Sequence, residues 1–307
     1  MTTRASIAIL TNNRPTQLTA CLASISRQTI KPMVVYIFDT DKHTTATSVC
    51  LSFKKILPIS YHTGIYNVAQ ARSAALRTAR TRYLGFTDDD CILSPKWIEA
   101  GLRAIAKHNN ASYVLGKSLL GNIQNNFALA QHHHDRYWFM KKVSPGNIVH
   151  PLNCDTKNLF LDRVRVTKKT IDFDSRFFAN SFDSSDADFG YQLTRNGLTG
   201  IYDHAMIVTH NDNVDKKRFL ARAFQRGRMA YKLTIKWGLK HDYVFYPEIS
   251  LIRWMMRLVH LPKEWNNYFG DVDGYSVQKK LLLLFLIKLY QRTLLNGYYH
   301  EEHTTKQ

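Results

Sequence analysis

The apolar positions change period repeatedly along the first two hundred residues. Ile7 to Leu10 form a short continuous apolar run, and Leu18, Cys21, Leu22 and Ile25 follow at helical spacing. Val34 to Phe38 read as a second strand, a polar helix or loop leads through Cys50, and Ile56 to Ile59 read as a third strand. A second cycle follows: an alanine-rich helix over Ala69 to Ala79, a buried strand over Tyr83 to Phe86, and a helix opened by Ser94-Pro95-Lys96-Trp97. Alternating strands and helices predict a mostly parallel sheet with helices on its faces. Residues 120 to 150 lose this rhythm and predict a long excursion over a cleft. A last strand runs from Ile201 to Val208 and reaches His210. Beyond residue 212 the pattern becomes long helical segments rich in Arg, Lys, Trp, Tyr and Leu, which places a domain boundary there, 1–212 against 213–307. No internal repeat is visible.

Composition adds limits. Of 307 residues, 45% are hydrophobic, 21% charged and 12% aromatic, which excludes a disordered, collagen-like or low-complexity chain. The net charge of +18 predicts attraction to phosphates, nucleic acid or an anionic membrane. Cys21, Cys50, Cys91 and Cys154 lack metal-ligand spacing and read as reduced thiols of a cytosolic protein. Met1 to Arg4 lead into a strand rather than a signal peptide, and the longest apolar run, Leu281 to Ile287, is too short to span a bilayer.

In open α/β sheets, ligands bind beyond the carboxyl ends of the strands. Asp39 with Asp41, and Asp88-Asp89-Asp90, stand at such ends. Three adjacent carboxylates repel one another, and a divalent cation relieves that repulsion. Alternation sends Asp88 and Asp90 to one side and Asp89 to the other. A solvated acidic turn is the plain alternative for three aspartates alone.

The order of short motifs carries more weight. Ile7 to Arg14, then Leu18, Leu22, Ser24, Gln28-Thr29, Pro32 and a strand ending at Asp39, resemble the opening of family 2 glycosyltransferases. Asn67, Ala71, Arg72 and Ala79 are similar to the family's N-x-x-x-A-R-N helix, and YLGFTDDDCILSPKW (Tyr83 to Trp97) to its D-x-D segment. Thr156-Lys157-Asn158, Phe173-Asp174 with Phe177, Ser185-Asp186 with Asp188, Arg195 with Gly197, and His210 follow in the family's order. The resemblance covers roughly residues 6 to 228. It departs at Ser185, where the family has glutamate, at Ser73 in place of asparagine, and at Leu10 and Asn12 in the first turn.

The resemblance implies a GT-A fold, a nucleoside-diphosphate sugar donor with UDP favoured, and inverting transfer. Thr11, Asn13, Asp39, Arg72, Asp88 and Asp89 are then expected on the donor side, with Thr11 and Asp39 at the nucleobase. Asp90 and His210 are expected to hold Mn2+ or Mg2+. Asn158 and Asp188 are expected on the acceptor side, and Asp186 is the expected general base ahead of Asp183 and Asp188. The acceptor expected is a saccharide or lipid-linked glycan of cell-surface polysaccharide or glycolipid synthesis.

Between Lys216 and Lys240 nine cations occur without an acid, and Arg228, Lys232, Lys236 and Lys240 fall on one helical face. That face predicts a peripheral position on the cytosolic side of a membrane; packing on the catalytic domain or a second subunit is the alternative. His132-His133-His134-Asp135 reads as an exposed polar loop. A nucleic-acid-binding protein and a catalytically degenerate GT-A interaction module are the competing classes. No nucleic-acid signature accompanies the charge, so no nucleic acid is expected as partner.

Overall fold

The computed structural model describes residues 5–41, 43–64, 67–108, 111–179, 182–239, 261–269 and 274–306. Met1 to Arg4 and Lys240, named in the sequence analysis, lie outside these residues. The chain forms two compact units, one of residues 1–121 and 142–212, the other of 122–141 and 213–307.

The first unit holds the strands β1 (Ala5–Thr11), β2 (Val35–Asp39), β3 (Ile59–Thr63), β4 (Tyr83–Asp88), β5 (Cys91–Leu93) and β6 (Ala111–Leu120). Its helices over this half are α1 (Pro15–Ser26), α2 (Thr47–Phe53), α3 (Val68–Thr78) and α4 (Trp97–Lys107). Helix α5 (Asn126–Lys141) belongs to the second unit. The first unit resumes with β7 (Val143–Ser144), β8 (Ile148–Val149), β9 (Leu159–Asp162), α6 (Arg163–Thr167), β10 (Phe178–Ala179), β11 (Phe182–Asp183), α7 (Ser185–Arg195) and β12 (Thr199–His210).

Ten strands among the described residues make one mixed sheet in the order β3-β2-β1-β4-β9-β6-β12-β8-β7, with β5 paired to β12. β3, β2, β1 and β4 run parallel, and β1 is buried along its whole length, as a strand covered on both faces requires. On α1, Leu18, Cys21, Leu22 and Ile25 are fully buried against this core, so the spacing read from sequence is the packed stripe. Trp97 opens α4 edge-on to Phe160, with ring centroids 5.7 Å apart. A Cβ at Gly85 would lie 2.4 Å from the indole, so this crossing needs glycine.

Two expectations are corrected. The third strand begins at Ile59, because Ile56 is 65% exposed in the turn before Pro58. The excursion over 120 to 150 contains the 16-residue helix α5, and its histidine cluster is not an exposed loop. His133 and His134 are buried, His133 edge-on to Phe269 at 4.9 Å and His134 against Tyr290 at 5.0 Å. The four cysteines are free and buried.

The second unit adds α8 (Lys216–Trp237), α9 (Leu261–Phe269) and α10 (Val277–Lys306) to α5. α8 and α10 approach closely through paired glycines: a Cβ on Gly227 would stand 1.9 Å from the Leu294 carbonyl oxygen, and one on Gly297 2.0 Å from that of Phe224. Backbone cannot yield as a side-chain tip can. Gly227→Ala is therefore expected to destabilise this unit by about 1–3 kcal/mol, read as a lower urea midpoint. An unchanged midpoint would mean that the helices part without cost. Arg228 and Lys232 both reach Glu301, at 2.6 and 3.4 Å, so the basic face predicted on α8 is in part an internal ion-pair seam. Among the described residues no helix is long and apolar enough to cross a membrane.

Candidate active site

The parallel strands bring their carboxyl ends level. Thr11 is in register with Asp39 across β1 and β2, and Leu10 with Asp88 across β1 and β4. The aspartate triplet leaves the end of β4, where the strand gives way to a turn at Asp89: Asp89 is fully buried, Asp90 nearly buried and Asp88 half-buried. Thr11 Oγ1 donates to Asp89 Oδ2 at 2.8 Å. Arg14 spans two members of the triplet, 3.2 Å from Asp89 and 2.7 Å from Asp90. Asn13, exposed with a left-handed φ of 49°, makes the turn that aims Arg14, a conformation asparagine tolerates.

His210, at the end of β12, places Nε2 3.2 Å from Asp90 Oδ1. Burial raises the Asp90 carboxyl, but the hydrogen bond and charge of His210, with Arg14, outweigh it and hold Asp90 at about 2. Burial works against the His210 imidazolium, and Asp90 overrides it, so His210 is held above its ordinary range. Burial lifts Asp89 to about 7 despite Arg14. Asp90, Cys91 and His210 carry donor atoms within 4.8 Å of one another. Two donors about 2.1 Å from one octahedral cation lie about 3 Å apart, close to the 3.2 Å between Asp90 and His210, so this pair fits Mn2+ or Mg2+. The Cys91 thiol is buried, its pKa driven up by burial, and faces the core as β5 alternates.

Arg72 is carried into the site by α3, whose N-terminus is fixed by reciprocal 2.9 Å bonds between Asn67 and Gln70. Its buried guanidinium pairs with Asp183 and lies 3.8 Å from Asp88. Ser73, beside it, clamps Phe173 through both backbone groups, at 3.3 and 3.2 Å. Asp183 also accepts the Ser185 hydroxyl at 2.9 Å and the Ser185 N–H at 3.2 Å. Asp186, half-buried on the first turn of α7, accepts the Ala187 N–H at 2.8 Å. Loss of solvent, then the charge of Asp183, push its carboxyl up to about 7, with Arg72 opposing.

Besides Asp89, three further expected site residues are turned inward. Asp39 is fully buried, Oδ1 accepting the Asp41 N–H at 2.9 Å and Oδ2 the Tyr61 hydroxyl at 2.6 Å. Asp188 is fully buried and accepts Gln192 at 2.8 Å, which ties α7 to the Asp172 carbonyl. Asn158 is 1% exposed; its amide oxygen accepts the Trp97 indole at 2.8 Å and its nitrogen donates to the Met206 carbonyl at 3.2 Å. That carbonyl belongs to a bulge in β12, where three residues, His204 to Met206, lie outside the register with β6. Gly116 makes room for it, since a Cβ there would stand 2.0 Å from the Met206 oxygen.

Sequence reasoning missed Arg14, Tyr61, Asp155 and Lys157. The Asp155 charge acts on Asp88, Arg72 and Asp186, and Lys157, paired with Asp155, acts on His210. Their signal was position: they flank Thr156 in a motif already singled out.

A mostly parallel sheet flanked by helices, with carboxylates gathered at its strand ends, is the GT-A architecture of glycosyltransferases. The chain belongs to glycosyl transferase family 2, whose model matches residues 6–164. No curated protein matches it in sequence. Among solved structures it is similar to the mannosyltransferase PcManGT from Pyrobaculum calidifontis in complex with GDP-Man and Mn2+, at 15% identity and TM-score 0.62 over 97% of this chain and 86% of that one. It is also similar to S. aureus TarS 1–349, at 13% identity and TM-score 0.54 over 99% of this chain and 92% of that one. The same TarS fragment in complex with UDP-GlcNAc aligns at 12% identity and TM-score 0.54, over 98% and 92% of the two chains.

Proposed function

We propose that this glycosyltransferase moves a sugar, with inversion, from a nucleoside diphosphate, UDP favoured, to a saccharide or lipid-linked acceptor of cell-surface polysaccharide or glycolipid synthesis, working on the cytosolic face of a membrane. Asp186 takes the proton of the acceptor hydroxyl as that oxygen bonds to the anomeric carbon and the bond to the diphosphate breaks. Asp90 and His210 hold Mn2+ or Mg2+, which supplies positive charge to the diphosphate. Thr11, Arg14 and Arg72 keep the carboxylates of the donor side in place, and Arg72 joins that side to Asp183.

One observation carries the assignment of the base. Of the three aspartates around the start of α7, Asp183 is committed to Arg72 and Ser185, and Asp188 is buried on Gln192. Asp186 remains, and a carboxyl near 7 suits a base working near neutrality. Ser185, which suggested a degenerate site, serves as a partner of Asp183, and this weakens the interaction-module alternative.

The pH profile follows. A base with its carboxyl at about 7 must be ionised to act, so kcat/KM is expected to rise about tenfold per pH unit below 7 and to level off above it. A profile flat from pH 5 to 8 would remove Asp186 from the role. The reading as a whole is tested by thermal protection and transfer across a panel of nucleotide sugars with Mn2+ or Mg2+. Protection by none of them, together with no transfer, would defeat it.

A further inference from the structure

Between Leu281 and Ile287 helix α10 is apolar on every side, yet the second unit uses only part of that surface. Leu283, Leu284, Leu286, Ile287 and Tyr290 are buried, with the Tyr290 ring 5.0 Å from Phe219. Val277, Leu281 and Phe285 follow at steps of four, which sets them on one face, and they stand 58%, 44% and 60% exposed, with Leu282 at 40% beside them. Single exposed apolar side chains are ordinary, but a contiguous stripe in water is a mark of something that covers it.

The surroundings of the stripe say what. Lys288 and Arg292 follow Phe285 on the same face, and no Asp or Glu occurs from Val277 to His300; Lys279 and Lys280 lie on the packed side of the helix, at Asn126 and over the Trp265 ring. The next acid, Glu301, is already held by Arg228 and Lys232. A second copy of this chain would set one cationic border against an identical one, on molecules that each carry +18. Nucleic acid would answer the charge and leave the leucines and phenylalanine uncovered. An anionic lipid surface answers both: headgroups meet the cations and acyl chains meet the stripe.

We propose that the N-terminal turns of α10 dock this enzyme on anionic membrane, with Leu281, Leu282 and Phe285 entering the headgroup–acyl boundary and Lys288 and Arg292, which continue that face, meeting the headgroups. The stripe from Val277 to Phe285 is about 12 Å long, enough to lie in one leaflet and not to span it. This docking rests on the membrane location proposed above and on no step of the sugar transfer. It moves the contact from the α8 face, where Arg228 and Lys232 are engaged with Glu301, to α10.

The full-length protein is floated with vesicles of phosphatidylcholine alone and of phosphatidylcholine with phosphatidylglycerol. Binding is expected only to the anionic vesicles, weakening as salt rises. The double variant Leu281→Ser with Phe285→Ser is expected to lose about tenfold or more in partitioning, while its melting temperature and its transfer to a soluble acceptor stay at the wild-type level. In a Phe285→Trp variant, lipids brominated on the acyl chain are expected to quench the new indole. If the double variant binds anionic vesicles as well as the wild type, docking lies elsewhere: the α10 inference fails and the membrane location survives. If the wild type ignores anionic vesicles at low salt, both fail. A wild-type dimer that the double variant dissociates, without vesicle binding, would assign the stripe to a second copy and overturn the proposal.

Discussion

Replacing Asp186 by asparagine is expected to lower turnover by about 10²- to 10⁴-fold with donor affinity nearly unchanged. Asparagine keeps the shape and the Ala187 hydrogen bond but cannot take a proton. The acceptor proton moves only in the transition state, so the loss falls on kcat and not on donor binding. The same substitution is expected to raise the melting temperature above pH 7. A carboxyl held at about 7 in the folded state binds its proton more tightly there than in the unfolded chain, so it lowers stability as pH rises from about 4 to 7. An amide removes that penalty. Loss of turnover with a gain in stability marks a working carboxylate kept in an unfavourable place. Asp183→Asn is expected to act differently, loosening Arg72 and with it Asp88. Full turnover in Asp186→Asn, or a dead Asp188→Asn that folds normally, would move the base to another residue.

The second large effect concerns Asp90. Asp90→Ala is expected to reduce UDP-sugar affinity measured with Mn2+ to the value measured in EDTA, because one of the two cation-facing donors is gone. Held at about 2, Asp90 is ionised throughout the working range, and the proton displaced when a cation arrives is that of His210, whose imidazole ligates only when neutral. Wild-type turnover is expected to stop in EDTA and to return with Mn2+ or Mg2+. His210→Ala is expected to weaken cation-dependent binding less, since the carboxylate remains. Turnover undiminished by EDTA would defeat the cation reading outright.

Sequence alone exposed the frame of the site. The ends of β1, β2 and β4 were legible because buried parallel strands are continuous apolar runs and polar residues mark where they stop, and the end of β12 was marked by the motif position of His210. β3 was misread because Ile56 and Leu57 extend the apolar run through Pro58 into a turn. α5 looked polar because the rings that cover its histidines come from Phe269, Tyr275 and Tyr290, more than a hundred residues later. The motifs located Asp39, Asn158 and Asp188 near the site but gave no direction to their side chains. Direction depends on partners such as Tyr61, Trp97 and Gln192 that local pattern does not reveal. Ser185 looked like a defect and is a hydrogen-bond partner of Asp183, a relation visible only when both are in place.

The bulge in β12 sets which side of the sheet His210 reaches. Past the bulge each residue takes the face of its partner on β6, so His210 stands on the side of Leu120 because the three extra residues between the Asp203–Gly116 and Ile207–Lys117 matches are absorbed without a slip in pairing. Asn158, itself held by the Trp97 indole, pins the Met206 carbonyl and so guards a register rather than a contact. A slip of one residue in the pairing of β12 with β6 past the bulge would leave every residue of the site present and turn the imidazole away from Asp90. In this fold the register of a strand is as much a part of the cation site as the identity of its ligands.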